Sequence, residues 1–497
     1  MKRTMRLFGL AVLFVATTAL TGCEKDDVQP EENTVLLTTT VSFEGNEATK
    51  ALTRDGVKTF ANGEQMAVVY ENTSNELVKT TVTLESANIS SDSKSVSFTV
   101  AASNPKPNGT FRLIYPAAMA GTDDVDYSNL ANQDGSLTTL AANYDLGYYS
   151  STLDAEGNLP ASCQLNNPLV IASFTLKESG TTINSGVTML FIGDGTNSYY
   201  ITRAAAADSI WVAMKPMAAS TVVSFHAIAN GDRYEKEAFA LPAALVAGHI
   251  TPIRLSMTKL QEGATFGKFS INGSNTVHFS QGNLQRIDGD WQFASHQYDV
   301  LGSWSSTSCD LFYWETTGNY GSEENCITSN GTSSDVVNWG TNNITNGGGA
   351  NHWSTPSTDA WQYIFDTRSA STGRYAGAYL FGTMHGMILF PDHYTHPNDV
   401  PVPTGINNHN NTSWNGNQYT AEQWAKMEAA GAVFLPAAGS RRLTSVNDPA
   451  QRGQYWSSTA FNDYSAWCVY FSEYFVGPDD YGYYNRLYGH SVRLVCE

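Results

Sequence analysis

Charge is what this chain has least of. Charged residues make up 15% of it, against about 25% in a typical globular domain. Lys and Arg number 28 and Asp and Glu 47, for a net charge of -19. Phosphate binding needs a positive footprint, so this balance disfavours a nucleic-acid partner. Cysteine is also scarce, at six, and no pair has the spacing of a structural zinc site. Gly-x-Ser-x-Gly, His-Glu-x-x-His and the phosphate loop are absent. After the first twenty residues no apolar run approaches the ~18 residues of a membrane span. Ser, Thr, Asn and Gly carry the polarity instead, and they favour strands and turns over helices. At 497 residues, more than one domain is expected.

The N-terminus gives an address. Lys2, Arg3 and Arg6 precede an apolar stretch from Leu7 to Ala19, followed by Leu20-Thr21-Gly22-Cys23. That layout is a secretory signal peptide over residues 1–22, too short to span a membrane. It resembles the bacterial lipoprotein box, which implies cleavage before Cys23 and lipid attachment to its thiol. Glu24-Lys25-Asp26-Asp27 resembles the signal that sends lipoproteins of Gram-negative gut and oral anaerobes to the outer face of the outer membrane. The expected location is therefore the outer membrane, lipid-anchored and facing the exterior. Removing residues 1–22 takes away three positive charges and moves the net charge to -22. Five cysteines would remain, at 163, 309, 326, 468 and 496. An odd number leaves one unpaired, and Cys309 with Cys326 is the expected pair.

Residues 23–34 read as a lipidated, acidic tether. From residue 35 to 258 the pattern is short alternating strands, such as Ser95-Val96-Ser97-Phe98-Thr99-Val100 and Phe111-Arg112-Leu113-Ile114-Tyr115. This reads as an all-β sandwich. Phe43-Glu44-Gly45, Thr49-Lys50-Ala51-Leu52-Thr53, Phe60-Ala61-Asn62-Gly63-Glu64, Tyr115-Pro116-Ala117 and Ala247-Gly248-His249-Ile250-Thr251-Pro252 together resemble a fimbrillin-like domain. The resemblance implies a transthyretin-like sandwich and possible partnership with other pilin subunits by strand exchange. Arg54 would be a cleavage point that frees the receiving groove.

Residues 259–266 read as a linker. The remainder, 267–497, reads as α+β. One helix starts near Ser357 or Thr358 and places Trp361, Ile364 and Phe365 on one face. A second starts at Thr420, with Gln423 completing a capping box, and stops at Gly431. Val277-His278-Phe279-Ser280-Gln281-Gly282-Asn283-Leu284-Gln285, Leu389-Phe390-Pro391-Asp392, Phe434-Leu435-Pro436, Tyr455-Trp456-Ser457-Ser458 and Gly489-His490-Ser491-Val492-Arg493-Leu494 resemble a C-type-lectin-like domain. The likeness is to the Fibrobacter succinogenes major paralogue kind, related to the variable proteins of diversity-generating retroelements. It implies a variable ligand-binding segment over 453–490. Glu473 departs from the set that adenine randomisation of an Asn codon reaches, so the segment also fits ordinary paralogue diversity.

That segment is crowded with tyrosine. Residues 451–497 hold 8 of the chain's 25. Along Trp467-Cys468-Val469-Tyr470-Phe471-Ser472, alternation puts Trp467, Val469 and Phe471 in the core and Cys468, Tyr470 and Ser472 opposite. Trp456, Val476, Pro478, Arg486, Val492 and Leu494 match framework positions. The candidate ligand-binding residues are Phe461, Asn462, Asp463, Tyr464, Tyr470, Tyr474, Asp479, Asp480, Tyr481, Tyr483, Tyr484, Tyr488 and His490. Large amphipathic rings among short polar residues are the composition of a paratope.

Other chemistry is weaker. Asp392, His393, His396, Asp399 and His409 lie close in sequence without metal-site spacing, so no metal is expected. The Glu-Pro-Asn and Trp-Asn-Asp tripeptides of calcium-dependent lectins are missing, and no cofactor is implied. The formylglycine-generating enzymes share this fold but need a close cysteine pair. Cys468 and Cys496 are the only candidates, and nothing around them matches. The expected function is a non-enzymatic surface adhesin, a pilus tip or standalone scaffold, that binds an extracellular protein or glycan. A glycan-acting enzyme and a purely structural pilin are the alternatives.

Overall fold

The structure is a computed structural model that describes residues 34–43, 59–204, 206–305, 307–314, 336–370, 372–410, 412, 414–477 and 483–497. The signal segment, Cys23, the tether, Arg54, Cys326, Asp479, Asp480 and Tyr481 lie outside the described residues. Strands dominate the described chain, as a composition rich in Thr, Val, Tyr and Ser favours.

The span read as one sandwich contains two. In the first, Ser95–Ser103, Thr34–Phe43 and Ser162–Leu165 form one sheet. It faces a second of Leu77–Thr83, Gln65–Glu71, Thr110–Tyr115 and Gly147–Thr152. Leu37, Val68, Phe98 and Leu113 pack between them. In Ser95–Ser103 the buried residues are Val96, Phe98, Val100 and Ala102, every second position, as the alternation predicts.

The second sandwich pairs a four-stranded sheet centred on Val170–Glu178 with a six-stranded one. The six strands run in the order Thr258–Lys259, Asp232–Ala240, Val222–Ala229, Val187–Gly193, Ser198–Thr202 and Asn132–Gln133. Phe174, Leu190, Ile192, Val212 and Phe225 fill the space between the sheets. The side chain of Gln133 reaches across it, accepting from Ala213 N at 2.9 Å and donating to Ala213 O at 2.8 Å.

The outer face of the six-stranded sheet is covered by the C-terminal half. Met189 and Phe191 belong to the same buried cluster as Phe390, Trp424, Phe434 and Trp456. Along Val187–Gly193 only one residue is exposed, because both faces are covered. The expected linker is part of this packing. Leu260, Ala264, Thr265 and Phe266 are all buried while Lys259 and Glu262 stay exposed, so residues 259–266 are packed along the seam and are not a free connector. Polar contacts frame the seam. Asn398 Oδ1 accepts from Ser198 Oγ at 2.9 Å, and Thr395 Oγ1 accepts from Gly195 N at 2.9 Å. Asp399 accepts from Asn132 Nδ2 at 2.7 Å and pairs with Lys426 at 2.5 Å.

Within the C-terminal half, Thr276–Phe279 pairs on one side with Phe269–Ser270 and on the other with Val495–Cys496, so the start and end of this half are joined in one sheet. A four-stranded sheet of Gln418–Tyr419, Tyr375–Leu380, Met384–Leu389 and Val433–Pro436 lies beside it. The helix Thr358–Gln362 is capped by Ser357 and continues as a π-helical turn over Tyr363–Thr367. Trp361, Ile364 and Phe365 are fully buried against Phe279 and Tyr455, as the stripe predicts. The helix Ala421–Ala429 carries the reciprocal Thr420–Gln423 capping box. Gly431 follows it with φ +96°. Thr420→Ala should lower stability by about 1 kcal/mol, measured by chemical denaturation with the helix signal as readout.

Among the described residues, Cys163, Cys309, Cys468 and Cys496 are free and buried. Cys326, the expected partner of Cys309, lies outside the described residues, and the Cys309 thiol donates to Leu311 O at 3.1 Å.

Candidate functional site

The tyrosine-rich segment is built on the hairpin of Arg452–Asn462 and Ser465–Ser472. Its far edge is completed by Tyr483–Asn485 and Val476–Gly477. Gly453 lets the strands approach, because a Cβ there would sit 2.0 Å from the Phe471 ring. The connecting turn is held locally: Asn462 Oδ1 accepts from Tyr464 N at 2.8 Å and Ser465 N at 2.9 Å. Arg486 pins the hairpin from the side. It donates to Asn462 O at 2.7 Å, and its guanidinium lies over the Trp314 ring at 4.5 Å.

Two sides of the hairpin are core. Trp456 and Cys468 face one cluster with Val492 and Leu494. Tyr455, Val469 and Phe471 face another. Cys468, expected opposite the core, is therefore buried as deeply as Val469. Trp467, expected in the core, is only half-buried. The cause is register. The strand pairing shifts between Trp456 and Ala460 and again before Asn462, which carries Trp467 past the end of the packed layer. There it lies opposite Tyr483 in the ladder.

Trp467 joins an aromatic group at the surface. Phe461 stacks on Tyr483 with centroids 3.9 Å apart and planes at 10°. Trp467 meets Phe461 edge-on at 5.0 Å. Phe461 is 36% exposed and Tyr483 51%, while Tyr464 and Tyr474 each reach 76%. Stacked rings that stay this exposed offer a rigid apolar face at little ordering cost. Asp463 is exposed beside them, and Asn462 is half-buried.

Behind this face lies a second layer. Tyr470, Tyr484 and Tyr488 are half-buried. Tyr470 and Tyr484 lie nearly parallel, 6.5 Å apart, and burial pushes the Tyr484 hydroxyl up to about 12. Arg442 lies 5.7 Å over the Tyr488 ring. His490 does not belong to the surface. It is fully buried, between Trp456 at 4.3 Å and Tyr484 at 5.2 Å. Neither ring nitrogen has a hydrogen-bond partner, and burial pushes its pKa down to about 3. It acts as a filler beneath the tyrosines, because a neutral imidazole is tolerated there and a charged one is not.

The residues weighed as a metal group are dispersed. Asp392 is taken up by Arg368 at 3.0 Å and Ser270 Oγ at 2.6 Å. His396 Nε2 faces Val400 O at 3.0 Å, and His409 Nε2 lies 3.3 Å from Asp366. Burial raises the thiols of Cys468 and Cys496, the latter to about 12. Buried thiols of this kind are inert as nucleophiles.

No family model matches the chain, and no curated protein does. Solved structures give low-scoring likenesses. One is a fimbrial protein from Bacteroides ovatus, 11% identical, covering 93% of this chain and 99% of that one, with a TM-score of 0.24. A candidate cell adhesion protein from Bacteroides uniformis is 14% identical, covers 45% and 97%, and scores 0.26. The minor pilin of Streptococcus agalactiae is 8% identical, covers 45% and 96%, and scores 0.20. Scores this low leave the reading of the site to its geometry.

Proposed function

We propose that this chain is a lipid-anchored surface adhesin of the outer membrane, in which a fimbrillin-like β carrier presents a C-type-lectin-like head. The head recognises an extracellular protein or glycan through Phe461, Tyr464, Trp467 and Tyr483, with the half-buried tyrosines behind them, while Tyr474 stands exposed beyond the other end of the hairpin. Recognition is the whole mechanism, and no covalent step is involved. The observation that carries this reading is the Phe461–Tyr483 stack, closely packed ring on ring yet open to solvent. An exposed aromatic face of this kind is the composition of a binding hot spot.

The last strand, Val495–Cys496, is paired inside its own half.

The test is an array of extracellular proteins and glycans probed with the full chain and with a Phe461→Ser, Tyr464→Ser, Tyr474→Ser, Tyr483→Ser variant. Hits of the parent should weaken by at least about tenfold in the variant, since each lost anchor is worth roughly 1–2 kcal/mol. Equal signal from both proteins overturns the assignment of this face.

A further inference from the structure

A buried polar group lies at the seam between the second sandwich and the C-terminal half. His226 stands on Val222–Ala229, directly opposite Glu235 on the neighbouring strand Asp232–Ala240. Glu237 follows two positions on, so both carboxylates leave the same face of the sheet. One ligand atom from each of His226, Glu235 and Glu237 lies within 4.8 Å of the other two. His226 is 1% exposed and Glu235 3%.

The hydrogen-bond inventory of this group does not close. Nδ1 of His226 faces Ala429 O at 2.6 Å. A carbonyl only accepts, so this nitrogen carries the ring hydrogen. Nε2 faces Glu237 Oε1 at 2.5 Å, and a carboxylate also only accepts. In the neutral ring, two lone pairs would point at each other. At 2.5 Å a second ring proton fits between them; a metal ion, whose nitrogen and oxygen donors stand about 3 Å apart, enters only when the Glu237 carboxylate swings back by under ~1 Å. Glu235 adds a second demand. Its Oε1 is met by His278 Nε2 at 3.2 Å and by Lys268 Nζ at 3.7 Å. Its Oε2 is buried without a hydrogen-bond partner. One proton on His226 serves Glu237 and leaves that oxygen unmet, whereas a divalent ion can take both carboxylates at once.

The surroundings match what metal ligands require. An imidazole that binds a metal usually donates its other nitrogen to a backbone carbonyl, which fixes the ring. Here Ala429 O does this, while Phe266 stacks on the ring at 4.9 Å and 7° and Phe191 at 5.7 Å and 20°. Ser224 Oγ donates to Glu237 Oε2 at 2.6 Å, which orients that carboxylate and leaves Oε1 for the ion.

The geometry points to a divalent transition-metal site formed by His226 Nε2, Glu235 Oε2 and Glu237 Oε1, of the zinc class. One imidazole with two carboxylates is a donor set that suits Zn²⁺ and, less tightly, Mn²⁺. The ion would sit where the six-stranded sheet meets the end of the Ala421–Ala429 helix, and would fasten the two halves together.

The test uses the full chain, stripped with chelator and titrated with ZnCl₂. One zinc per chain should bind, seen by elemental analysis after gel filtration, with a rise in Tm that chelator reverses. Glu235→Gln should weaken zinc binding by about 100-fold or more, and Ser224→Ala by about tenfold, because it acts only through Glu237. His396→Gln should leave binding unchanged. Should Glu235→Gln not fold, the parent chain loaded with Co²⁺ decides, since bound cobalt gives visible d–d absorption. Absence of stoichiometric zinc and of a cobalt spectrum, or equal binding by a folded Glu235→Gln, overturns the proposal and leaves a protonated His226 as the cation.

Discussion

Trp456→Ala should cost the chain about 3–5 kcal/mol, while Trp467→Ala, eleven residues later on the same hairpin, should cost no more than about 1 kcal/mol. Trp456 is fully buried, and its indole donates to Phe312 O at 2.7 Å. Truncation opens a large cavity and leaves that carbonyl unpaired, and both effects act against the folded state. Trp467 lies half in solvent against Phe461 and Tyr483. Its removal frees two rings that were already exposed. Urea denaturation of the two variants checks the contrast, and ligand capture should move in the opposite order. The Trp467 variant should bind poorly while remaining folded. If Trp467→Ala destabilised as much as Trp456→Ala, the division between framework and surface drawn here would be wrong.

The second large effect concerns acid. His490 has its pKa pushed down to about 3 from an ordinary 6.5. A depressed value means that the unfolded chain takes up the proton first. The stability tied to the neutral ring is therefore complete above about pH 6.5 and is lost progressively as pH falls towards 3. At pH 4 the loss amounts to about 3 kcal/mol. His490→Phe keeps a flat ring against Trp456 and Tyr484 without a proton to bind. It should be at least as stable as the parent at pH 7, because two unpartnered nitrogens disappear. It should also lose about 3 kcal/mol less between pH 7 and pH 4. Stability curves at the two pH values for both proteins supply the measurement. A variant with unchanged acid sensitivity would show that the imidazole is not the group being protonated.

How far the sequence revealed this depends on how local each feature is. The Thr420–Gln423 box and the Trp361, Ile364, Phe365 stripe involve residues a few positions apart, and the structure holds both. The alternation of Val96, Phe98 and Val100 was equally readable, since one face of that strand meets a core and the other meets water. The two sandwiches were not separable, because the strand Asn132–Gln133 joins a sheet whose other members begin more than fifty residues later. A linker was expected over 259–266. What covers Leu260 and Phe266 comes from Met189 and Phe191. The uninterrupted run Met189-Leu190-Phe191-Ile192 was the available signal that both faces of that strand are buried. In the candidate site, composition alone singled out Tyr464, Tyr474 and Tyr483, which are exposed. Trp467 and His490 were misplaced, because a two-residue period fails across a register shift and says nothing about a strand with core on both sides.

The buried stretch after Lys259 has a consequence for how such a protein can change over generations. Head and carrier share one set of apolar contacts, so a recombination that grafted only the last half onto another stem would strip Phe266 and Leu260 of their cover. Exposed positions of the hairpin, which lie outside that shared cluster, are free to change, while the join between the two halves is inherited as a single piece.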